Sequence, residues 1–260
     1  MPFTLRPYQQ ESVDAAIAHV KKRLSPALLE LATGAGKSLI AAELAKFFAI
    51  AAPTKRVLCI APSKELVEQN AEKYALTGNQ ASIYCASAGK KCLRSQVIFA
   101  SPQSALGTID KIAHMGVSAI IIDEDEIHYD ESKAIEPFYS KLLYKITAGE
   151  LVSDNFLSQV KIGDSDGYDT STLETDSFGR FSAKSVEKTF SGNTKTERII
   201  QRVIKESVDK MGVMIFAATI SHAEEIASYL PADDCMVITG KLKKKDRPKY
   251  IDLFKNQQYK

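Results

Sequence analysis

Ala27-Leu28-Leu29-Glu30-Leu31, running into Ala32-Thr33-Gly34-Ala35-Gly36-Lys37-Ser38, is the stretch that decides the fold. A short apolar run, a glycine-rich turn and a helix-period segment (Leu39–Phe48) follow one another without a gap. Gly34 and Gly36 let the backbone turn tightly and aim N–H groups at one point, and the helix start adds partial positive charge there. Thr33, Gly34, Ala35, Gly36, Lys37 and Ser38 are therefore predicted to cradle a nucleoside triphosphate. Lys37 would reach the β- and γ-phosphates, and the Ser38 hydroxyl would take a coordination position on Mg²⁺. Leu31 stands where many such loops have glycine. The competing reading, a glycine-rich turn that merely opens a helix, leaves the Gly-Lys-Ser triplet unexplained.

Further apolar, β-branched runs lie at Arg56–Ala61, Gln96–Ala100, Ala119–Ile122, Gly212–Ala217 and Cys235–Thr239. They are short, lack period-2 alternation and alternate with helix-period segments at Pro7–Arg23, Ser38–Ile50, Ser63–Tyr74, Thr196–Lys210 and Ser221–Leu230. Buried parallel strands in βαβ units have this pattern. The prediction is an α/β protein, a parallel sheet with helices on both faces. Residues 145–180 are acidic and rich in Gly, Ser and Thr, which marks a connection. The expected organisation is a first domain over 1–143, an acidic, flexible connection over 144–195, and a partial second domain over 196–260 with only two clear strands.

The composition excludes several classes. With 45% hydrophobic and 25% charged residues in 260, the chain is an ordinary globular one. No apolar run reaches the roughly 20 residues of a membrane span. Cys59, Cys85, Cys92 and Cys235 show no CxxC spacing, so reduced thiols and a cytoplasmic location are expected. The net charge of +2 hides an uneven distribution. Eight Lys and Arg between Lys241 and Lys260 face only Asp246 and Asp252.

A phosphate loop needs a carboxylate at the end of a neighbouring strand, and Ala119-Ile120-Ile121-Ile122-Asp123-Glu124 supplies one. Asp123 is predicted to hold Mg²⁺ through water. Glu124 is predicted to polarise the attacking water as general base. Asp125 and Glu126 read as solvated charge beyond the metal.

Taken in order, these segments resemble the motor core of a superfamily 2 helicase, most closely the RadD-like group of bacterial DNA-repair ATPases. Phe3-Thr4-Leu5-Arg6-Pro7-Tyr8-Gln9-Gln10 is similar to the segment that contacts adenine, with Gln9 matching the adenine-reading glutamine. Ala61-Pro62-Ser63-Lys64-Glu65-Leu66-Val67-Glu68-Gln69-Asn70 looks like motif Ia, and Phe99-Ala100-Ser101-Pro102-Gln103-Ser104 resembles motif Ib. Gly212–Pro231 resembles motif IV. The resemblance implies ATP and Mg²⁺ as ligands and a single-strand path lined by Pro62, Ser63, Lys64, Ser101, Gln103 and Ser104. Taken singly, the serines and Gln103 also fit ordinary helix caps, and Ser221 and His222 a plain helix start.

Three departures stand out. Asp123-Glu124-Asp125-Glu126 replaces the usual DEAH or DECH, so Glu126 stands where a histidine is expected, with His128 two residues on. A motif III strand and coupling loop are expected to be absent, because Ser132–Tyr144 looks helical and runs straight into Ile146-Thr147-Ala148-Gly149. No counterpart of motifs V and VI precedes Lys260. The expected function is nucleic-acid-dependent ATP hydrolysis, on DNA more than RNA, by a chain that does not unwind alone, whether it is whole, truncated or completed by a second protein that supplies the missing motor half. The alternative is a non-hydrolysing nucleotide- or DNA-binding remnant or regulatory subunit.

Overall fold

The computed structural model describes residues 3–123, 139, 141–159, 171, 173–175, 181–190, 193–243 and 246–256. The chain divides into two compact units, Met1–Lys161 and Ile162–Lys260.

In the first unit, α1 (Pro7–Val20) precedes β1 (Ala27–Leu31) and α2 (Lys37–Ala51), which follows the glycine-rich turn. Then come β2 (Arg56–Ile60), α3 (Lys64–Ala75), β3 (Ala81–Cys85), β4 (Lys90–Lys91) and β5 (Val97–Ala100). The short helices α4 (Pro102–Leu106) and α5 (Ile109–His114) lead to β6 (Val117–Ile122), β7 (Lys141–Ile146) and α6 (Ala148–Ser153). Five strands form one sheet in the order β4-β3-β5-β2-β6, and β1 pairs with β7. Every pairing is parallel except β3 with β4.

The continuous apolar runs have a direct cause. Val57, Cys59, Val97 and Phe99 face one side of the sheet and pack with Ala42, Ala45 and Ala49 of α2 and Val67 and Tyr74 of α3. Leu58, Ile98 and Ala100 face the other side and pack with Ala105 and Ile112 of α4 and α5. Both faces are buried, so both parities are apolar. The β1–β7 pair joins the same core through side chains. Leu29 and Leu31 of β1, Ile121 of β6 and Leu143 of β7 share a cluster with Val13, Ile40 and Leu44.

Three expectations change here. Strand β6 is not buried on both faces: Ile120 and Ile122 are 56% and 44% exposed. Among the described residues only β2 pairs with β6, and it is Ile121 that packs into the core. The expected absence of a strand before Ile146-Thr147-Ala148-Gly149 is overturned. Residues 141–144 are not helical; they open β7, which pairs in parallel with β1 from Ala27↔Lys141 to Leu31↔Ile146. The expected domain boundary at 143 cuts through this strand, and residues 144–157 belong to the first unit's fold rather than to a loose connection. Residues 132–138, the rest of the expected helix, lie outside the described residues.

The second unit holds α7 (Ala183–Phe190), α8 (Asn193–Glu206), α9 (Ile220–Ser228) and α10 (Arg247–Lys255). Thr219 caps α9, its hydroxyl accepting from the His222 N–H at 3.1 Å and donating to Glu187 at 2.8 Å, so Ser221 and His222 are a helix start as expected. Residues 212–217 and 235–239 form no strand, contrary to expectation. A strand exists only through its partner, and among the described residues of this unit the sole β-bridge is Thr175↔Phe181. Val213, Ile215, Val237 and Ile238 instead line a cavity of about 730 Å³ with Ile226 and Phe254. No helix among the described residues is long and apolar enough to cross a membrane.

Candidate functional site

The turn after β1 is closed by its own backbone. Ala32 N–H donates to Ile146 of β7 at 3.1 Å, and Ala35 N–H to Ala32 at 3.1 Å. Gly34 and Gly36 take φ of 85° and 78°, the left-handed region that favours glycine. Gly36 is the N-cap of α2 and offers no side chain, and its carbonyl accepts from Leu39 N–H at 2.9 Å. The N–H groups of Gly34, Gly36, Lys37 and Ser38 have no partner among the described residues. Unpaired donors at the start of a helix are the kind of group that receives an anion. Lys37 and Ser38 stand half-buried on that first turn.

The loop is braced from α1. Gln9 is 3% exposed. Its Oε1 accepts from Arg6 N–H at 2.9 Å, and its Nε2 donates to the Ala35 carbonyl at 2.8 Å. The Tyr8 hydroxyl donates to the same carbonyl at 3.0 Å. A Cβ on Gly36 would fall 2.5 Å from Gln9 Nε2. Gln9, expected to read adenine, thus lies at the loop with both ends of its amide engaged inside the protein.

A second brace was not foreseen from the sequence. Asn155 adopts φ 59° at the end of α6, and Phe156 and Leu157 N–H both return to the Leu151 carbonyl. This turn sends Phe156 against Tyr8, with ring centroids 5.0 Å apart and the Arg6 guanidinium 5.1 Å above the Phe156 ring. Leu157 packs on Gly34, where an added Cβ would meet Cδ2 at 2.9 Å. Thr147 and Glu150 form a capping box: the Thr147 hydroxyl accepts from Glu150 N–H at 3.2 Å, and Thr147 N–H donates to the Glu150 carboxylate at 2.8 Å. That backbone bond holds the Glu150 carboxyl below its usual range. Tyr144 donates to Glu11 at 3.0 Å, and burial, then this bond, push its phenol up to about 12. The T-x-x-E spacing at Thr147 was the available signal.

Asp123 follows β6 directly. Its N–H donates to Ile60 at 2.8 Å, and its Oδ2 accepts from Asn70 Nδ2 at 2.7 Å. Beneath it, burial and then the Asp123 charge push the Cys59 thiol up. Glu124, Asp125, Glu126 and His128 lie outside the described residues. Among the described residues no group of three or more His, Cys, Asp or Glu is placed to hold a metal. Asp123 and Ser38 offer oxygen donors, the ligand type of Mg²⁺, a hard cation that keeps waters and completes its shell with substrate phosphates.

The residues expected on a strand path share one end of the sheet. Ile60 pairs with Ala100 on one side and Ile122 on the other. Pro62, Ser63 and Lys64, then Ser101, Gln103 and Ser104, thus leave adjacent strand ends beside Asp123. Ser63 caps α3, accepting from Leu66 N–H at 3.2 Å, and Ser101 donates to Ser104 at 2.9 Å. Ser104 in turn accepts from Ala86 N–H at 3.0 Å. Lys64 lies 3.8 Å from Glu68. Pro62 and Gln103 are exposed.

Residues 2–150 match the family model of the Type III restriction enzyme, res subunit. No curated protein matches the chain. Among solved structures, the ATP-dependent Type ISP restriction-modification enzyme LlaBIII bound to DNA is 15% identical over 62% of this chain and 16% of that one, with a TM-score of 0.45. A nuclease-deletion mutant of the Type ISP enzyme LlaGI, in complex with a DNA substrate mimic, is 17% identical over 80% of this chain and 23% of that one (TM-score 0.37). T4 UvsW is 15% identical over 98% of this chain and 56% of that one (TM-score 0.39). The chain thus spans less than two thirds of each.

Proposed function

Because this chain belongs to the Type III restriction enzyme res subunit family, a helicase-type family of nucleic-acid-related ATPases, we propose that it binds ATP with Mg²⁺ and hydrolyses it on single-stranded DNA. The observation that carries this reading is the loop Thr33–Ser38, where the N–H groups of Gly34, Gly36, Lys37 and Ser38 have no partner among the described residues and Lys37 and Ser38 open α2. Ser38 and Asp123 would hold Mg²⁺, which supplies neutralisation of phosphate charge. Lys37 binds the terminal phosphates, and Glu124 takes the proton of the attacking water. Pro62–Lys64 and Ser101–Ser104 hold a strand through its phosphates without reading bases. DNA rather than RNA is assigned because the family is named for a restriction enzyme.

Unwinding needs two motor domains that close and reopen with the nucleotide. We infer slow turnover without strand separation by the chain alone, with a second protein completing the motor; the described residues of the second unit show helices and no sheet. The same observation favours a second reading, a module that binds nucleotide and DNA without hydrolysing. Phosphate release from Mg²⁺–ATP, with and without single-stranded DNA, tests both. Slow release that rises on DNA and is lost in Lys37→Ala supports the first reading. Binding without any release supports the second, and ATP-dependent opening of a tailed duplex by the chain alone contradicts both.

A further inference from the structure

We infer that Asn70 is a positioning residue for the Mg²⁺-binding carboxylate Asp123, an assignment that rests on the role proposed for Asp123 above. Asn70 lies on the buried stripe of α3 between Val67 and Tyr74, where helix packing ordinarily selects an apolar side chain. Asparagine is also a poor residue for a helix interior. Yet it is 2% exposed, and its Nδ2 reaches Asp123 Oδ2 at 2.7 Å. A carboxylate only accepts, so the amide nitrogen must be the atom that faces it. The amide oxygen, Oδ1, is then buried without a partner among the described residues, a cost that an apolar residue would avoid. The fold accepts this cost for one bond.

That bond completes a two-point grip. Asp123 N–H is tied to Ile60 of β2, and its Oδ2 is tied to α3, so both backbone and carboxylate are fixed. The bond to Oδ2 takes one of the carboxylate's acceptor sites and leaves the others, including those of Oδ1, for a metal or its waters. Neighbours that orient a metal-binding carboxylate typically tune metal affinity by about 10–100-fold.

The test is equilibrium binding of a fluorescent ATP analogue to the full chain, titrated with Mg²⁺, in the parent, Asn70→Ala, Asn70→Leu and Asp123→Ala. Asn70→Leu keeps the branching at Cγ and fills the site that alanine leaves as a gap, while removing both polar atoms. The Asn70 variants should raise the Mg²⁺ concentration for half-maximal binding by about 10–100-fold. Their nucleotide affinity in EDTA should match the parent's, a split that mere loosening of the fold does not produce. If Asp123→Ala moves the Mg²⁺ midpoint while both Asn70 variants keep the parental value, Asn70 has no positioning role. If Asp123→Ala leaves the midpoint unmoved, the reading of Asp123 falls and this inference with it.

Discussion

Val97-Ile98-Phe99-Ala100 in the first unit and Met214-Ile215-Phe216-Ala217 in the second are nearly the same tetrapeptide. The first is β5, hydrogen-bonded to β2 on one side and β3 on the other, with both faces covered by helices. The second makes no ladder with any described residue. Phe99 is 1% exposed and Phe216 88%. A β-prone run nominates a strand, but only neighbours that offer N–H and C=O groups on both edges make it one. The first unit supplies those neighbours, and the described residues of the second do not.

Hydrogen exchange should show the largest contrast. Amides of Val97–Ala100 should exchange at least about 10³-fold more slowly than those of Met214–Ala217, since ladder amides open only with the core. Equal protection would mean that the second run is paired after all. Truncation gives the next largest contrast. Phe99→Ala should cost about 3–5 kcal/mol in chemical denaturation, against no more than about 0.5 kcal/mol for Phe216→Ala. Similar costs at the two sites would remove the distinction.

A smaller contrast lies within the first unit. β1, β2, β5 and β6 were legible because their runs are apolar and the glycine-rich turn admits few structures. β7 was not: Lys141 and Lys145 interrupt it, and Lys145 pairs with Glu30 of β1 at 2.6 Å rather than adding to an apolar pattern. Its strand character comes from β1, which no local pattern reveals. Phe156 and Leu157 were hidden likewise, because their role depends on a turn at Asn155 that brings Phe156 back to Tyr8 and Leu157 back to Gly34. Asn70 carried no signal, since its meaning lies in Asp123. Thr147→Ala, which removes the cap after β7, should lower stability by about 1 kcal/mol. A thermal-unfolding midpoint equal to the parent's would show that this cap contributes nothing.

The central proposal is that Thr33–Ser38 is a phosphate loop. Equilibrium binding of ATP at matched Mg²⁺, in the parent and in Lys37→Ala, bears on it most directly. Lys37 is half-buried and has no salt bridge among the described residues, so an unchanged unfolding midpoint in the variant would isolate the charge proposed to face the phosphates. The parent should saturate, and Lys37→Ala should bind roughly 10–100-fold more weakly, the worth of one charge-assisted contact. Equal affinity in the two proteins would contradict the assignment of Thr33–Ser38 as a nucleotide site.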